Sequence, residues 1–181
     1  MNRNIGVLLS GNGSNLDVII KENIKVSFVA SNNPNALGLK IAAEANIPVY
    51  TSTNLLKLEA VTLNLIKKYD VKLLVLAGFM KLLSKNFIYS LPKQFIINIH
   101  PSLLPSFKGL NAIRRTLECR VQYTGITIHY VDEGMDTGSI IIQSRVKING
   151  NETFEILKKR LQKLEHQIYP NIIKSILKKN R

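Results

Sequence analysis

Short apolar runs alternate with helical periodicity along most of this chain, and this alternation limits its fold more than any other feature. Such an order predicts parallel strands, each joined to the next by a crossover helix. The run at residues 73–77, LLVLA, is apolar throughout, as is typical of a central strand covered on both faces. Strands are predicted at residues 5–9, 26–30, 49–51, 73–77 and 95–100, and helices from about residue 15, over 37–45, over 55–69 and after Ser84.

The later part of the chain has a different pattern. Residues 124–131 and 140–148 alternate between apolar and polar side chains, with the loop DEGMDTG between them, which predicts an antiparallel pair. From about Glu152 one apolar stripe indicates a long helix, which Pro170 should kink or interrupt. We therefore predict one α/β domain over residues 1–181: a Rossmann-like, mostly parallel twisted sheet with helices on both faces, added antiparallel strands and a long C-terminal helix.

Composition narrows the classes of protein that the chain can belong to. The apolar run at residues 5–9 is too short for a signal peptide or a membrane span, which predicts a cytoplasmic protein without membrane contact. A single cysteine, Cys119, cannot form an internal disulfide and fits a reducing compartment. With three histidines and no paired cysteines, we expect no metal site.

The formal charge of +13 predicts an anionic partner: nucleic acid, a membrane surface or a phosphorylated small molecule. However, the eighteen lysines and seven arginines are scattered, and the densest group, at residues 158–163, lies on the predicted terminal helix. Apart from Tyr169, no aromatic residue is interleaved with the C-terminal lysines for base stacking. We expect no nucleic-acid partner, although a non-catalytic basic nucleic-acid-binding module stays as an alternative.

The glycine-rich segment LLSGNGSNL lies between the first strand and the first helix. Gly11 and Gly13 allow close approach to the backbone, and Ser14 and Asn15 can cap the helix and donate to phosphate oxygens. A dinucleotide fingerprint would need a third glycine where Leu16 stands, and a Walker A loop would need Gly-Lys-Ser/Thr. The segment therefore favours a phosphate monoester over NAD or ATP.

Polar side chains end the predicted strand at residues 95–100. Asn98 and His100 lie two apart and therefore on one face, followed by a loop with two prolines whose Leu104–Pro105 bond is a candidate cis peptide. Asp136, in DEGMDTG, is a third candidate. An amide, an imidazole and a carboxylate can orient a carbonyl and supply a proton, and a nearby carboxylate would raise the proton affinity of His100. Because no serine or cysteine carries a nucleophile signature, this set favours direct attack by a substrate amine on a carbonyl.

Five segments resemble the phosphoribosylglycinamide formyltransferase family in order and spacing: SGNGSNL, LAGFMKLLS, INIHPSLLPSFKG, HYVDEGMDTGSII and LEHQIYP. The resemblance implies transfer of the formyl group of 10-formyltetrahydrofolate to the amine of glycinamide ribonucleotide, in purine synthesis. It also implies small-molecule partners, no metal, and a monomer or a homodimer.

The resemblance assigns roles to matching residues of this chain. Asn98, His100 and Asp136 would be the catalytic residues. The ribonucleotide would bind to Gly13, Ser14, Asn15 and Glu165, and the folate to Phe79, Met80, Lys81, Leu82, Leu83 and Asn98. The family often has arginine at the position of Lys81. If this side chain meets the folate, lysine offers a point charge in place of the bidentate contact of arginine.

Other users of 10-formyltetrahydrofolate are the alternatives within enzymes. Methionyl-tRNA formyltransferases append a C-terminal tRNA-binding domain, whereas this chain stops at Arg181, shortly after one helix. Formyltetrahydrofolate hydrolases normally carry an extra N-terminal domain that we do not find. We therefore expect the ribonucleotide enzyme.

Overall fold

A computed structural model describes residues 4–179 of the chain. Within them the strands are β1 (Ile5–Leu9), β2 (Val26–Ser31), β3 (Val49–Thr51), β4 (Leu73–Leu76), β5 (Ile96–His100), β6 (Tyr123–Tyr130) and β7 (Ile140–Lys147). The helices are α1 (Ser14–Lys21), α2 (Leu37–Glu44), α3 (Leu55–Lys68), α4 (Lys85–Tyr89), α5 (Ala112–Glu118) and α6 (Phe154–Lys179). Each predicted element is found close to its expected bounds, whereas the short helix α5 was not predicted.

The strands form one sheet in the order β3-β2-β1-β4-β5-β6-β7. The first five strands are parallel, while β6 runs antiparallel to β5 and β7 antiparallel to β6. The predicted α/β class with an appended antiparallel pair is therefore confirmed. The strand order reverses between β1 and β4, so the loops that follow these two strands diverge and leave a crevice at their carboxyl ends.

The sheet is covered on both faces, which is why its central strands are apolar throughout. In β1, Val7 and Leu9 pack toward α1, α2 and α6, whereas Leu8 packs toward α3 and α4. Each fully buried side chain of this size contributes about 1.5–3 kcal/mol of hydrophobic stabilisation. In β5, Ile97 and Ile99 belong to the first of these cores, so the alternating residues Asn98 and His100 are directed away from it.

Of the two effects predicted for Pro170, a kink or an interruption of the last helix, the interruption is wrong, because α6 continues through this residue to Lys179, and the kink stays a prediction. Proline lacks the N–H that would bond to the carbonyl one turn earlier, but tertiary contacts on both sides hold the backbone helical. Tyr169 is fully buried, and its hydroxyl group lies 2.9 Å from the carbonyl oxygen of Leu76 and 3.3 Å from that of Ile97. Beyond Pro170, the side chain of Ile173 is also fully buried in the core.

Candidate active site

A cleft of about 470 Å³ opens at the carboxyl ends of β1, β4 and β5, where the strand order reverses. It is lined by the glycine loop after β1, the segment after β4, the polar end of β5, the loop before β7 and one side of α6. All the site residues predicted from the sequence line this one cleft: Gly13, Ser14, Asn15, Phe79, Met80, Lys81, Leu82, Leu83, Asn98, His100, Asp136 and Glu165.

Asn98, His100 and Asp136 meet in this cleft although they are distant in sequence. The Nδ1 atom of His100 lies 3.2 Å from the Oδ2 atom of Asp136. The Nδ2 group of Asn98 donates to the other carboxylate oxygen at 3.4 Å. The backbone of Asp136 has a φ of 52°, in the left-handed region, where aspartate is one of the few residues found regularly. This turn directs the carboxylate toward the end of β5.

The other ring nitrogen of His100 is held by the loop that follows β5. Nε2 lies 2.9 Å from the carbonyl oxygen of Phe107, to which it donates when protonated. Because a carbonyl and a carboxylate both accept, the two contacts are satisfied together only by the doubly protonated ring. These two contacts therefore favour the imidazolium form, whereas burial of the ring opposes it.

The loop itself is fixed by buried hydrogen bonds from β6. The hydroxyl of Thr127 donates to the carbonyl oxygen of Ser102 at 2.7 Å and accepts from the N–H of Leu104 at 3.1 Å. The Leu104–Pro105 peptide bond is cis, which confirms the prediction. These contacts place the Phe107 carbonyl beside His100.

Burial changes the pKa values of the two ionisable groups. It would raise the pKa of Asp136, but hydrogen bonds from His129 and the Gly109 N–H, together with imidazole charge, hold this pKa at about 2. Burial also lowers the pKa of His100, and it outweighs the opposing effects of Asp136 and the Phe107 carbonyl. The predicted effect of Asp136, which raises the proton affinity of His100, is therefore confirmed, but burial makes the net change of the His100 pKa a fall.

His129 is a fourth polar residue of this cluster, and it was not among the residues predicted from the sequence. It lies directly across from Asn98 in the antiparallel pairing of β5 and β6. Its Nε2 atom lies 3.2 Å from Asn98 Nδ2 and 3.4 Å from Asp136 Oδ1, while its Nδ1 atom lies 2.8 Å from the carbonyl oxygen of Tyr130. Alternation within β6 could have suggested an inward-facing histidine, but its partner depends on the strand register.

The glycine loop faces α6. Gly13 has a φ of 76° and immediately precedes α1, and no side chain caps this helix. The predicted capping by Ser14 or Asn15 is therefore wrong, because both side chains turn to α6. The hydroxyl of Ser14 accepts from Gln162 Nε2 at 2.7 Å, and Asn15 Nδ2 donates to Glu165 Oε2 at 2.9 Å.

The first backbone N–H groups of α1 have no acceptor within the helix and belong to residues that line the cleft, which is suited to an anion. Burial raises the pKa of Glu165, although the hydrogen bond from Asn15 acts in the opposite direction. Gln162 was not selected from the sequence. Its signal was its position one helical turn before Glu165, on the same face of the helix.

The segment after β4, residues 79–83, lines one side of the cleft with apolar side chains, some of which are exposed to solvent. The side chains of Met80 and Leu82 are 61% and 51% exposed, whereas Leu83 is buried beneath them. Large exposed apolar side chains at the edge of a cleft are typical of a ligand-binding surface. Lys81 lies between them and brings positive charge to the same edge.

Fold and cleft together define a doubly wound α/β protein with an amide, an imidazole and a carboxylate grouped as acyl transfer requires. Comparison with known sequences leads to the same class of protein. The sequence profile described as formyl transferase matches residues 3–173. The phosphoribosylglycinamide formyltransferase of Bacillus subtilis (strain 168) is 37% identical over 186 residues, covering 97% of this chain and 95% of the relative.

Solved structures give the same result. The phosphoribosylglycinamide formyltransferase of Anaplasma phagocytophilum matches with a TM-score of 0.92 and 39% identity, covering 99% of this chain and 89% of that chain. The enzyme of that name from Bacillus halodurans matches with a TM-score of 0.92 and 35% identity, covering 99% and 97%. This chain belongs to the formyl transferase family. Within residues 4–179, no helix combines the length and the apolar character that crossing a membrane requires.

Proposed function

We propose that this protein transfers the formyl group of 10-formyltetrahydrofolate to the amine of glycinamide ribonucleotide, a step of de novo purine (IMP) biosynthesis. The observation that carries the proposal is the meeting of Asn98, His100 and Asp136 in the same cleft as the glycine loop. Sequence identity to relatives named phosphoribosylglycinamide formyltransferase extends over nearly their whole length, and this supports the same substrates.

The ribonucleotide phosphate binds to the glycine loop in this proposal. The backbone N–H groups at Gly13, Ser14 and Asn15 lie at the N-terminus of α1, where the helix dipole favours negative charge. Glu165, held by Asn15, faces the glycinamide amine and can accept a hydrogen bond from it. This orientation places the nucleophilic nitrogen between the loop and the polar end of β5.

The folate lies against the segment at residues 79–83, and its formyl group reaches Asn98. Phe79, Met80, Leu82 and Leu83 offer apolar contacts to the ring system, and the charge of Lys81 suits the acidic tail of a folate. Holding the amine and the formyl carbon together can supply about 7–11 kcal/mol of the barrier in well-aligned cases. Most of the rate enhancement is therefore assigned to positioning.

Asn98 and His100 stabilise the oxyanion that forms as the amine attacks. The contact between Asn98 and Asp136 is long for a hydrogen bond, at 3.4 Å, so an incoming formyl oxygen can replace it at little cost. The new negative charge beside His100 favours the imidazolium, which burial alone disfavours. One such donor is typically worth about 2.7–4 kcal/mol.

Proton transfer completes the reaction. The amine nitrogen bonds to the formyl carbon, and the bond from that carbon to N10 of the folate breaks. Asp136 stays ionised, since its pKa is about 2, and orients a water molecule that passes the amine proton to the leaving nitrogen. The products are the formylated ribonucleotide and tetrahydrofolate, and no covalent enzyme intermediate is formed.

One experiment tests the proposal against its alternatives. Purified protein is given 10-formyltetrahydrofolate together with glycinamide ribonucleotide, charged initiator tRNA or water alone, and loss of the cofactor is followed. We expect discharge with the ribonucleotide and formation of its formylated product. Discharge only with tRNA, or equally fast in water, would contradict the proposal.

The wider organisation of the protein is also proposed. We assign residues 1–181 to one formyltransferase domain, because the family profile spans residues 3–173 without interruption. We place the enzyme in the cytoplasm, where purines are made. A monomer or a homodimer is expected, and sedimentation analysis would decide between them.

A further inference from the structure

A buried carboxylate lies outside the cleft and takes no part in the proposed reaction. Glu59, on α3, is only 5% exposed, and it does not line the cleft. Its Oε1 atom accepts from the backbone N–H of Ser84 at 2.7 Å, and its Oε2 atom accepts from the hydroxyl of the same residue at 2.7 Å. Burying a carboxylate costs free energy unless it is well hydrogen-bonded. The two hydrogen bonds from Ser84 therefore stabilise Glu59 in its buried position.

Ser84 is the residue at which the cleft-lining segment ends. Its hydroxyl oxygen also accepts from the N–H of Phe87 at 3.2 Å and thereby caps α4. The other end of the segment is held by Ser10, whose hydroxyl accepts from the N–H of Met80 at 2.8 Å. The segment is therefore attached at both ends, and its middle residues, Lys81 and Leu82, are exposed at the cleft.

We propose that Glu59 is a positioning residue for the formyl-donor site, acting through Ser84. This inference rests on the proposed function, in which residues 79–83 bind the folate. A charged acceptor makes hydrogen bonds about twice as strong as a neutral one, which suits a contact that must hold a loop of exposed apolar side chains. The glycine loop has separate contacts, to Gln162 and Glu165, and does not depend on this attachment.

Steady-state kinetics with both substrates varied tests this inference. Glu59→Ala leaves both Ser84 donors without acceptors, so we expect the KM for 10-formyltetrahydrofolate to rise about tenfold, as for one lost buried hydrogen bond. The KM for glycinamide ribonucleotide and kcat should stay within about twofold. Glu59→Gln keeps an acceptor for the Ser84 N–H and should therefore restore most of the affinity for 10-formyltetrahydrofolate.

Two further variants provide the controls. Thr62→Val removes another buried polar group of α3, whose hydroxyl donates to the Leu58 carbonyl at 2.8 Å within the helix, and should change neither KM. Ser84→Ala removes one of the two hydrogen bonds to Glu59. It should raise the KM for 10-formyltetrahydrofolate by less than Glu59→Ala does. If Glu59 and Ser84 act together, the variant that carries both alanines should bind 10-formyltetrahydrofolate no more weakly than Glu59→Ala alone.

Amide hydrogen exchange separates this inference from the proposed function. In Glu59→Ala, but not in Thr62→Val, exchange at residues 80–84 should be faster than in the unmodified protein. Lower thermal stability with both KM values unchanged, or an equal rise of both, would overturn the inference. An unmodified protein that transfers no formyl group would overturn the proposed function, and normal exchange in Glu59→Ala would then also refute the attachment.

Discussion

The Oδ2 atom of Asp136 lies 3.2 Å from the Nδ1 atom of His100, and the two side chains are only 12% and 7% exposed. The same oxygen accepts from the N–H of Gly109 at 2.7 Å. A carboxylate fixed in this way cannot follow the histidine if the ring moves. The ion pair is therefore rigid on the carboxylate side, and catalysis should depend strongly on both members.

Replacing either member of this pair by an amide should slow the reaction without weakening substrate binding. His100→Asn and Asp136→Asn remove charge from the transition state, so we expect kcat to fall about 100- to 1,000-fold while both KM values change little. Initial rates at saturating concentrations of both substrates measure this. A variant that kept near-normal turnover would remove that residue from the proposed mechanism.

The titration of His100 should depend on Asp136. Burial lowers the His100 pKa below 6.5 and Asp136 raises it in part, so Asp136→Asn should lower the pKa further. NMR titration of the ring protons measures both values. His166 serves as an internal control, because burial also lowers its pKa while its charged neighbours are Asp17 and Lys21. A His100 pKa unaffected by Asp136→Asn would contradict the assignment.

Glu165 should make the folded protein less stable at neutral pH. Its pKa is raised in the folded state, so ionising it lowers the free energy of unfolding above both pKa values, and this loss disappears as the pH falls below the usual 4.5. Glu165→Gln keeps an acceptor for Asn15 and should be more stable than the unmodified protein at about pH 7–8, with no difference at about pH 4.

Urea unfolding across this pH range checks the expectation. Glu155→Gln changes an exposed glutamate of the same helix and should have no comparable effect. If Glu165→Gln were less stable at neutral pH, the burial of the carboxylate would not be the dominant effect.

Ser14 and Asn15 should affect the ribonucleotide and not the folate. Alanine at either position removes the contact to α6 that orders the glycine loop, so we expect the KM for glycinamide ribonucleotide to rise about tenfold, as for one lost hydrogen bond. The KM for 10-formyltetrahydrofolate, measured in the same assays, should stay constant. An unchanged ribonucleotide KM would remove these residues from the phosphate site.

The two glycines of the loop should respond differently to alanine. Gly13 has a left-handed φ of 76°, and an added Cβ would collide with the backbone of Gly38, so Gly13→Ala should lower the free energy of unfolding by about 1–2 kcal/mol or more. An added Cβ at Gly11 meets nothing within 4 Å, and Gly11→Ala should fold normally. Equal thermal stability of the two variants would contradict this reading of the loop.

Local patterns in the sequence determined the elements of the fold. Apolar runs predicted β1 and β4 because both faces of these strands are covered, and a period of two placed Asn98 and His100 on one face. The glycine at residue 13 marked the turn that needs a left-handed φ. All of these properties depend on neighbours in the chain, which a sequence displays directly.

Tertiary structure decided which residues meet and in what environment. The strand register put His129 opposite Asn98, the packing of α6 turned Ser14 and Asn15 away from capping, and buried contacts on both sides of Pro170 kept that helix continuous. The net fall of the His100 pKa followed from its depth of burial. Register, burial and long-range contacts depend on how separate segments pack, and the free energy of that packing is not contained in any single segment.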